Sequence, residues 1–82
     1  MNIESIREEL ADILDLSVGD VTDDLNLNGL RNWDSLAMVS LVAFLVSNGG
    51  QTLEIKSLGM VNVVRDLWDV MRDAGMSLGV ES

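Results

Sequence analysis

Over residues 3 to 15 the apolar positions recur with the period of a helix. Ile3, Ile6, Leu10, Ile13 and Leu14 fall on one side, while Glu4, Arg7, Glu8, Glu9, Asp12 and Asp15 lie largely elsewhere around the cylinder. The pattern predicts an amphipathic first helix over 3–15, with Asn2 as its N-cap. From 16 to 33 no period is sustained, but Leu16, Val18, Val21, Leu25, Leu27 and Leu30 recur between polar and glycine residues. A connection that long inside a small domain is a functional or well-anchored loop, and these side chains are its expected anchors.

The pattern changes at "LRNWDSLAMVSLVAFLVSNGG". Leu36 to Val46 is apolar apart from Ser40, and no charged side chain occurs from Leu36 to Leu53. Asp34 is a good N-cap and Asn48-Gly49-Gly50 a good stop, so a second helix is predicted over 35–47. Leu36, Val39, Val42 and Leu45 are its expected inward stripe. That leaves Ala37, Met38, Ser40, Ala43, Phe44 and Ser47 outward. A short helix is expected over 57–61, then a helix over 63–74 capped by Asn62, with Val64, Leu67, Trp68 and Met71 on one face. Arg72 suits its negative end and Gly75 its stop. Residues 76–82 are expected to fray, and Trp33 and Trp68 to serve as core or loop anchors. The prediction is an all-α single domain over 1–82, a small three- to four-helix bundle with a long loop between its first two helices.

Composition narrows the chemistry. The 82 residues include no cysteine and no histidine, which excludes disulfides, Cys/His zinc sites, cysteine or histidine nucleophiles and an imidazole base. Fourteen acidic against five basic side chains give a formal net charge of −9. Such a surface repels nucleic acid and acidic membranes and attracts basic protein faces. The longest apolar run is well short of the about 20 residues that span a bilayer. The start "MNIESIREEL" is acidic and amphipathic, unlike a secretory signal. The expectation is a cytoplasmic, monomeric protein without a membrane span and without nucleic-acid partners.

The candidate chemistry sits at the head of the second helix. With Asp34 as the cap, Ser35 takes the first helical position with its hydroxyl free to face solvent. A phosphate ester on that oxygen would lie beside unpaired backbone N–H groups and the positive end of the helix dipole. Here "DLNLNGLRNWDSLAMVSLVAFL" resembles the acyl and peptidyl carrier proteins, whose signature is a DSL triplet opening the second helix. The amphipathic first helix, the loop with spaced leucines and the closing "VVRDLWDVM" helix extend the resemblance to about residues 3–74.

The resemblance implies that Ser35 carries 4'-phosphopantetheine, transferred from coenzyme A by a separate phosphopantetheinyl transferase, and holds acyl or aminoacyl intermediates as thioesters. Asp34 and Leu36 would be read by that transferase, Asp34 orienting the metal-bound coenzyme A and Leu36 filling a small apolar pocket. The chain itself would be no enzyme and would hold no metal. An acyl- or aminoacyl-loading ligase and downstream acyl-processing enzymes in fatty acid, polyketide or peptide biosynthesis would act on it. Fatty-acid carriers usually display glutamates along the outer face of this helix, whereas this one is neutral, and eight of the fourteen acids lie in residues 4 to 24. That points to a dedicated carrier for a specialised pathway, docking its partners through Ala37, Met38 and Phe44.

Two other readings compete. Asp24, Asn26, Asn28 and Gly29 match positions one, three, five and six of a calcium loop, and Asn32 position nine. Ser35 stands where the bidentate glutamate belongs, and Leu25 and Leu27 are apolar in a loop that is usually solvated. Alternatively, the uncharged helix belongs to a non-catalytic interaction module that buries it against a partner.

Overall fold

In a computed structural model that describes residues 2–49, 52–76 and 78, helix α1 (Ile3–Leu14) starts at Asn2, whose side chain accepts the Glu4 N–H at 2.7 Å. Ile6, Leu10, Ala11 and Leu14 are buried, while Ile3 and Ile13 are half-buried at the edge of the same stripe. The helix stops one residue earlier than expected. Asp15 turns into the left-handed region (φ 60°), and the Leu16 N–H donates back to the Ala11 carbonyl at 2.8 Å. This is the geometry usually given to glycine.

The loop makes a short 3₁₀ turn (Val18–Asp20) and reaches α2 (Ser35–Ser47). Val21 and Leu27 are buried and Leu16, Leu25 and Leu30 half-buried, so five of the six expected anchors hold the loop to the core. The sixth, Val18, is 41% exposed. Helix α3 (Ile55–Leu58) lies upstream of the expected 57–61, because the Glu54 carbonyl accepts both Ser57 N–H and Leu58 N–H and sets the first turn there. The buried Leu53 and Leu58 fix that turn, and Val61 follows it, buried, with its N–H turned back to the Leu58 carbonyl.

Helix α4 (Val64–Asp73) buries Val64, Leu67, Trp68 and Met71, the expected face. Its cap differs from expectation. Asn62 is occupied elsewhere, its side-chain oxygen accepting from the Asn28 amide at 2.5 Å. Asp66 reaches back instead and accepts the Asn62 and Val63 N–H groups at 3.0 and 3.2 Å, which holds its carboxyl below the usual range. The next two N–H groups are taken by the loop: Val64 donates to the Leu25 carbonyl at 3.1 Å and Arg65 to the Asp23 carbonyl at 2.8 Å. The Leu27 N–H donates to the Asn62 carbonyl at 2.8 Å, closing an antiparallel bridge between Asn26 and Val63.

At the other end Gly75 (φ 92°) lets the Met76 N–H return to the Met71 carbonyl at 3.0 Å. Met76 is therefore buried and Leu78 packs partly on the core, so the chain is not frayed at these two residues. The rest of the expected tail, 77 and 79–82, lies outside the described residues. The architecture is a small all-α bundle in which α1 packs on α2, α2 on α3 and α3 on α4. Among the described residues no helix is long and apolar enough to cross a membrane.

Asp23 joins three parts of this frame. Its carboxylate accepts from the Trp68 indole N–H and from Arg7, each at 3.1 Å, while Arg7 also donates to the Val21 carbonyl at 2.6 Å. The same guanidinium lies 5.5 Å from the centre of the Trp68 ring, within the range of a cation–π contact.

Two outcomes follow from these contacts. Asp15 combines left-handed backbone strain with a negative charge at the negative end of α1. Asp15→Gly should therefore stabilise the fold by about 1 kcal/mol, raising Tm by roughly 4–8 °C. A thermal melt showing no gain would contradict the strain. The bond from Trp68, and then the bond and charge of Arg7 beside it, hold the Asp23 carboxyl below its ordinary 3.8. A lowered folded-state value stabilises the fold above pH 3.8, and that contribution is lost as pH falls through the folded value. Asp23→Asn should cost about 1 kcal/mol at neutral pH, given that the carboxylate is half-exposed, and should flatten the loss of stability below about pH 4 in urea titrations.

Candidate functional site

The end of the loop is set before α2 begins. The Asn32 side-chain amide donates to the Leu14 carbonyl at 3.0 Å, tying the loop to one of the unpaired carbonyls at the end of α1. The Leu30 and Trp33 N–H groups donate to the Leu27 and Leu30 carbonyls, winding the segment into consecutive turns, and the Trp33 side chain is buried. Asp34 then follows in extended conformation (φ −127°, ψ −173°). Its carboxylate accepts the Ala37 N–H at 2.9 Å, and its carbonyl accepts the first helical bond, from the Met38 N–H at 3.0 Å. The expected cap is thus the observed one.

Ser35 is the first residue of α2 and is exposed. Among the described residues its hydroxyl has no hydrogen-bond partner, and the Ser35 and Leu36 N–H groups have no protein acceptor. A nucleophile-sized oxygen therefore stands beside two free donors at the positive end of a 13-residue helix. This donor set fits a phosphodiester on Ser35, since the Asp34 carboxylate already has the Ala37 N–H as its partner. Leu36 is 74% exposed. It borders an open hollow of about 240 Å³ between α1 and α2, whose walls include Ile13, Asn32, Asp34 and Ser40. A larger hollow of about 310 Å³ lies between Leu53, Ser57 and Val70 and shares no residue with the first.

The expected faces of α2 are rotated. Ala37, Leu41 and Leu45 are buried, while Met38, Val42 and Phe44 are half-buried against the core. Of the three expected docking residues, Ala37 is only 5% exposed, and Met38 and Phe44 flank the buried face instead of projecting from it. Leu36 and Val39, expected inside, are 74% and 52% exposed, Val46 is 51% exposed, and Ala43 is exposed with them. The reason is geometric. A run spaced by three loses 60° per step, so residues nine apart, such as Leu36 and Leu45, stand on opposite sides of a helix. No spacing in the sequence marked this face, because the surrounding positions apart from Ser40 are apolar as well.

The residues of the calcium reading have hydrogen-bond partners within the protein. The Asp24 carboxylate accepts from the Thr22 hydroxyl at 2.7 Å, the Asn26 side chain accepts the Asn28 N–H at 3.0 Å, and the Asn28 side chain bonds to Asn62. Leu27 between them is fully buried. These polar side chains thus have partners in the loop's own turns, at Asn62 just before α4 and, through Asn32, at the end of α1. Comparison with protein-family models, with curated proteins and with solved structures finds no match to this chain.

Proposed function

We propose that the protein is an acyl or aminoacyl carrier, modified on Ser35 with 4'-phosphopantetheine and dedicated to a specialised biosynthetic pathway. The observation that carries the reading is the exposed, unbonded Ser35 hydroxyl at the first position of α2, beside two free N–H groups and a capping aspartate. When bound, the arm supplies the thiol on which an intermediate rides as a thioester, which agrees with a chain that has no cysteine or histidine of its own. The chain's residues hold the ester's position. The Asp34 cap fixes where the helix starts, and the Ser35 and Leu36 N–H groups are placed to donate to phosphate oxygens. Asp34 and Leu36 are both exposed, as recognition by a phosphopantetheinyl transferase requires. Loading ligases and acyl-processing enzymes would be its further partners, and the cytosol its site of action. The exposed Leu36, Val39 and Val46 also suit the alternative of a purely non-catalytic interaction module. Attachment of the arm separates the two.

Incubation with a broad-specificity transferase and coenzyme A, followed by mass spectrometry, should show one phosphopantetheinyl group on the native chain and none on Ser35→Ala, whose stability should stay within about 0.5 kcal/mol. An unmodified native chain, or a modified Ser35→Ala, would remove the carrier reading. The two roles of Asp34 should also come apart. Asp34→Ala loses the cap and about 1 kcal/mol, whereas Asp34→Ser keeps a capping oxygen and the stability but should still be loaded slowly, because the carboxylate is gone.

A further inference from the structure

The hollow of about 310 Å³ between the start of α3 and the end of α4 shares no residue with the one beside Ser35. The buried Leu53 and the half-buried Val70 and Ala74 line it with apolar surface, while Glu54, Ser57 and Asp73 add two carboxylates and a hydroxyl. Glu54 stands at the N-cap of α3, but its side chain makes no capping bond. Among the described residues neither Glu54 nor Asp73 forms an ion pair. Asp73 ends α4, where the helix dipole is negative and a carboxylate is disfavoured. Arg72, the cation of that last turn, is turned to Asp69 at 3.4 Å. Among the described residues no lysine or arginine lines the hollow.

Charge and shape decide what fits. An anion is repelled by both carboxylates and by a chain of net charge −9. A neutral apolar molecule would cover the aliphatic lining but strip water from the carboxylates without giving them a partner. A hard divalent cation takes six or more oxygen ligands and gains nothing from aliphatic walls. Among the described residues no three carboxylates stand close enough to share one. A primary ammonium on an unbranched aliphatic stem uses both parts of the hollow. Its three N–H donors match Glu54, Asp73 and the Ser57 hydroxyl, and its stem covers Leu53, Val70 and Ala74, as lysine stems cover apolar surface elsewhere. We propose that this hollow binds a primary alkyl ammonium with a stem of about four carbons, the length of lysine's. Bound there, it bridges the start of α3 to the end of α4 and offsets the unfavourable placement of Asp73. The site needs no group on Ser35 and does not rest on the carrier reading.

The test uses the full unmodified chain at constant ionic strength, with n-butylammonium chloride as the probe beside methylammonium chloride and n-butanol. The amide chemical shifts of Leu53, Ser57, Val70 and Ala74 should move saturably with butylammonium, at a midpoint on the order of 10 mM. Tm should rise with its concentration, since the site exists only in the folded chain. Methylammonium lacks the stem and butanol the charge, so each should bind at least about fivefold more weakly. Glu54→Gln and Asp73→Asn should each weaken butylammonium at least about threefold. Neither should lower Tm, because both side chains are exposed. A capped lysine, Nα-acetyl-lysine amide, separates two sources of the same chemistry. Binding within about threefold of butylammonium supports a lysine side chain of another protein as the ligand, and weaker binding supports a free amine. No saturable change, or an equal response to methylammonium or butanol, would overturn the proposal. So would shifts spread over the acids of α1, tighter binding of magnesium at the same amides, or unchanged affinity in both variants. Ser35→Ala should bind butylammonium as the native chain does, so this result is scored apart from the loading of Ser35.

Discussion

The first N–H groups of a helix have no acceptor within it, and in this protein those at the start of α4 are taken by a distant loop. Val64 and Arg65 give their N–H groups to the carbonyls of Leu25 and Asp23, and Asn62 accepts from Leu27 in return. The long connection between α1 and α2 would otherwise cost chain entropy with nothing to offset it. Pinned to α4 by backbone bonds, and to the core by Val21 and Leu27, it becomes part of the frame. The Asp23 carboxylate extends the same junction to α1 through Arg7 and back to α4 through Trp68. One segment therefore ties α1 to α4, beside the direct contact that Arg7 makes with the Trp68 ring.

The position of Ser35 is a consequence of that junction. With its first half docked on α4, the loop has only the turns from Leu27 to Trp33 left before α2, and Asn32 fastens their end to the Leu14 carbonyl. Asp34 then caps a helix start that is already placed, so the Ser35 hydroxyl and the free N–H groups beside it stand at a fixed point on the surface with no binding partner needed to order them. Such preorganisation is what the proposed modification of Ser35 by another protein would need.

Charge and apolar surface are sorted over the same frame. The acids are concentrated on α1 and the first part of the loop, where Arg7 offsets two of them at Glu4 and Asp23. Helix α2 has none, and its exposed residues between Ser35 and Ser47 are apolar. Charge and exposed apolar surface thereby lie on different parts of the molecule.

The local elements were legible in the sequence because their causes are local. Asn2 and Asp34 cap through bonds to N–H groups two and three residues on, and glycine at position 75 answers a backbone angle of its own. Helices α1 and α4 showed their buried faces because charged residues mark the other side, and Ser35 was legible from its place after a capping aspartate. Distant contacts decided the rest. Asn62 had the composition of a cap but is taken by Asn28, and Asp66 fills the role. Asp15 adopts the angle of a glycine because Leu16 must turn back onto the bundle. The face of α2 was decided by tertiary packing alone. A helix apolar all round carries no amphipathic mark of its own orientation, so only the positions of α1 and α3 determine that Ala37, Leu41 and Leu45 go inside while Leu36, Val39 and Val46 stay in water.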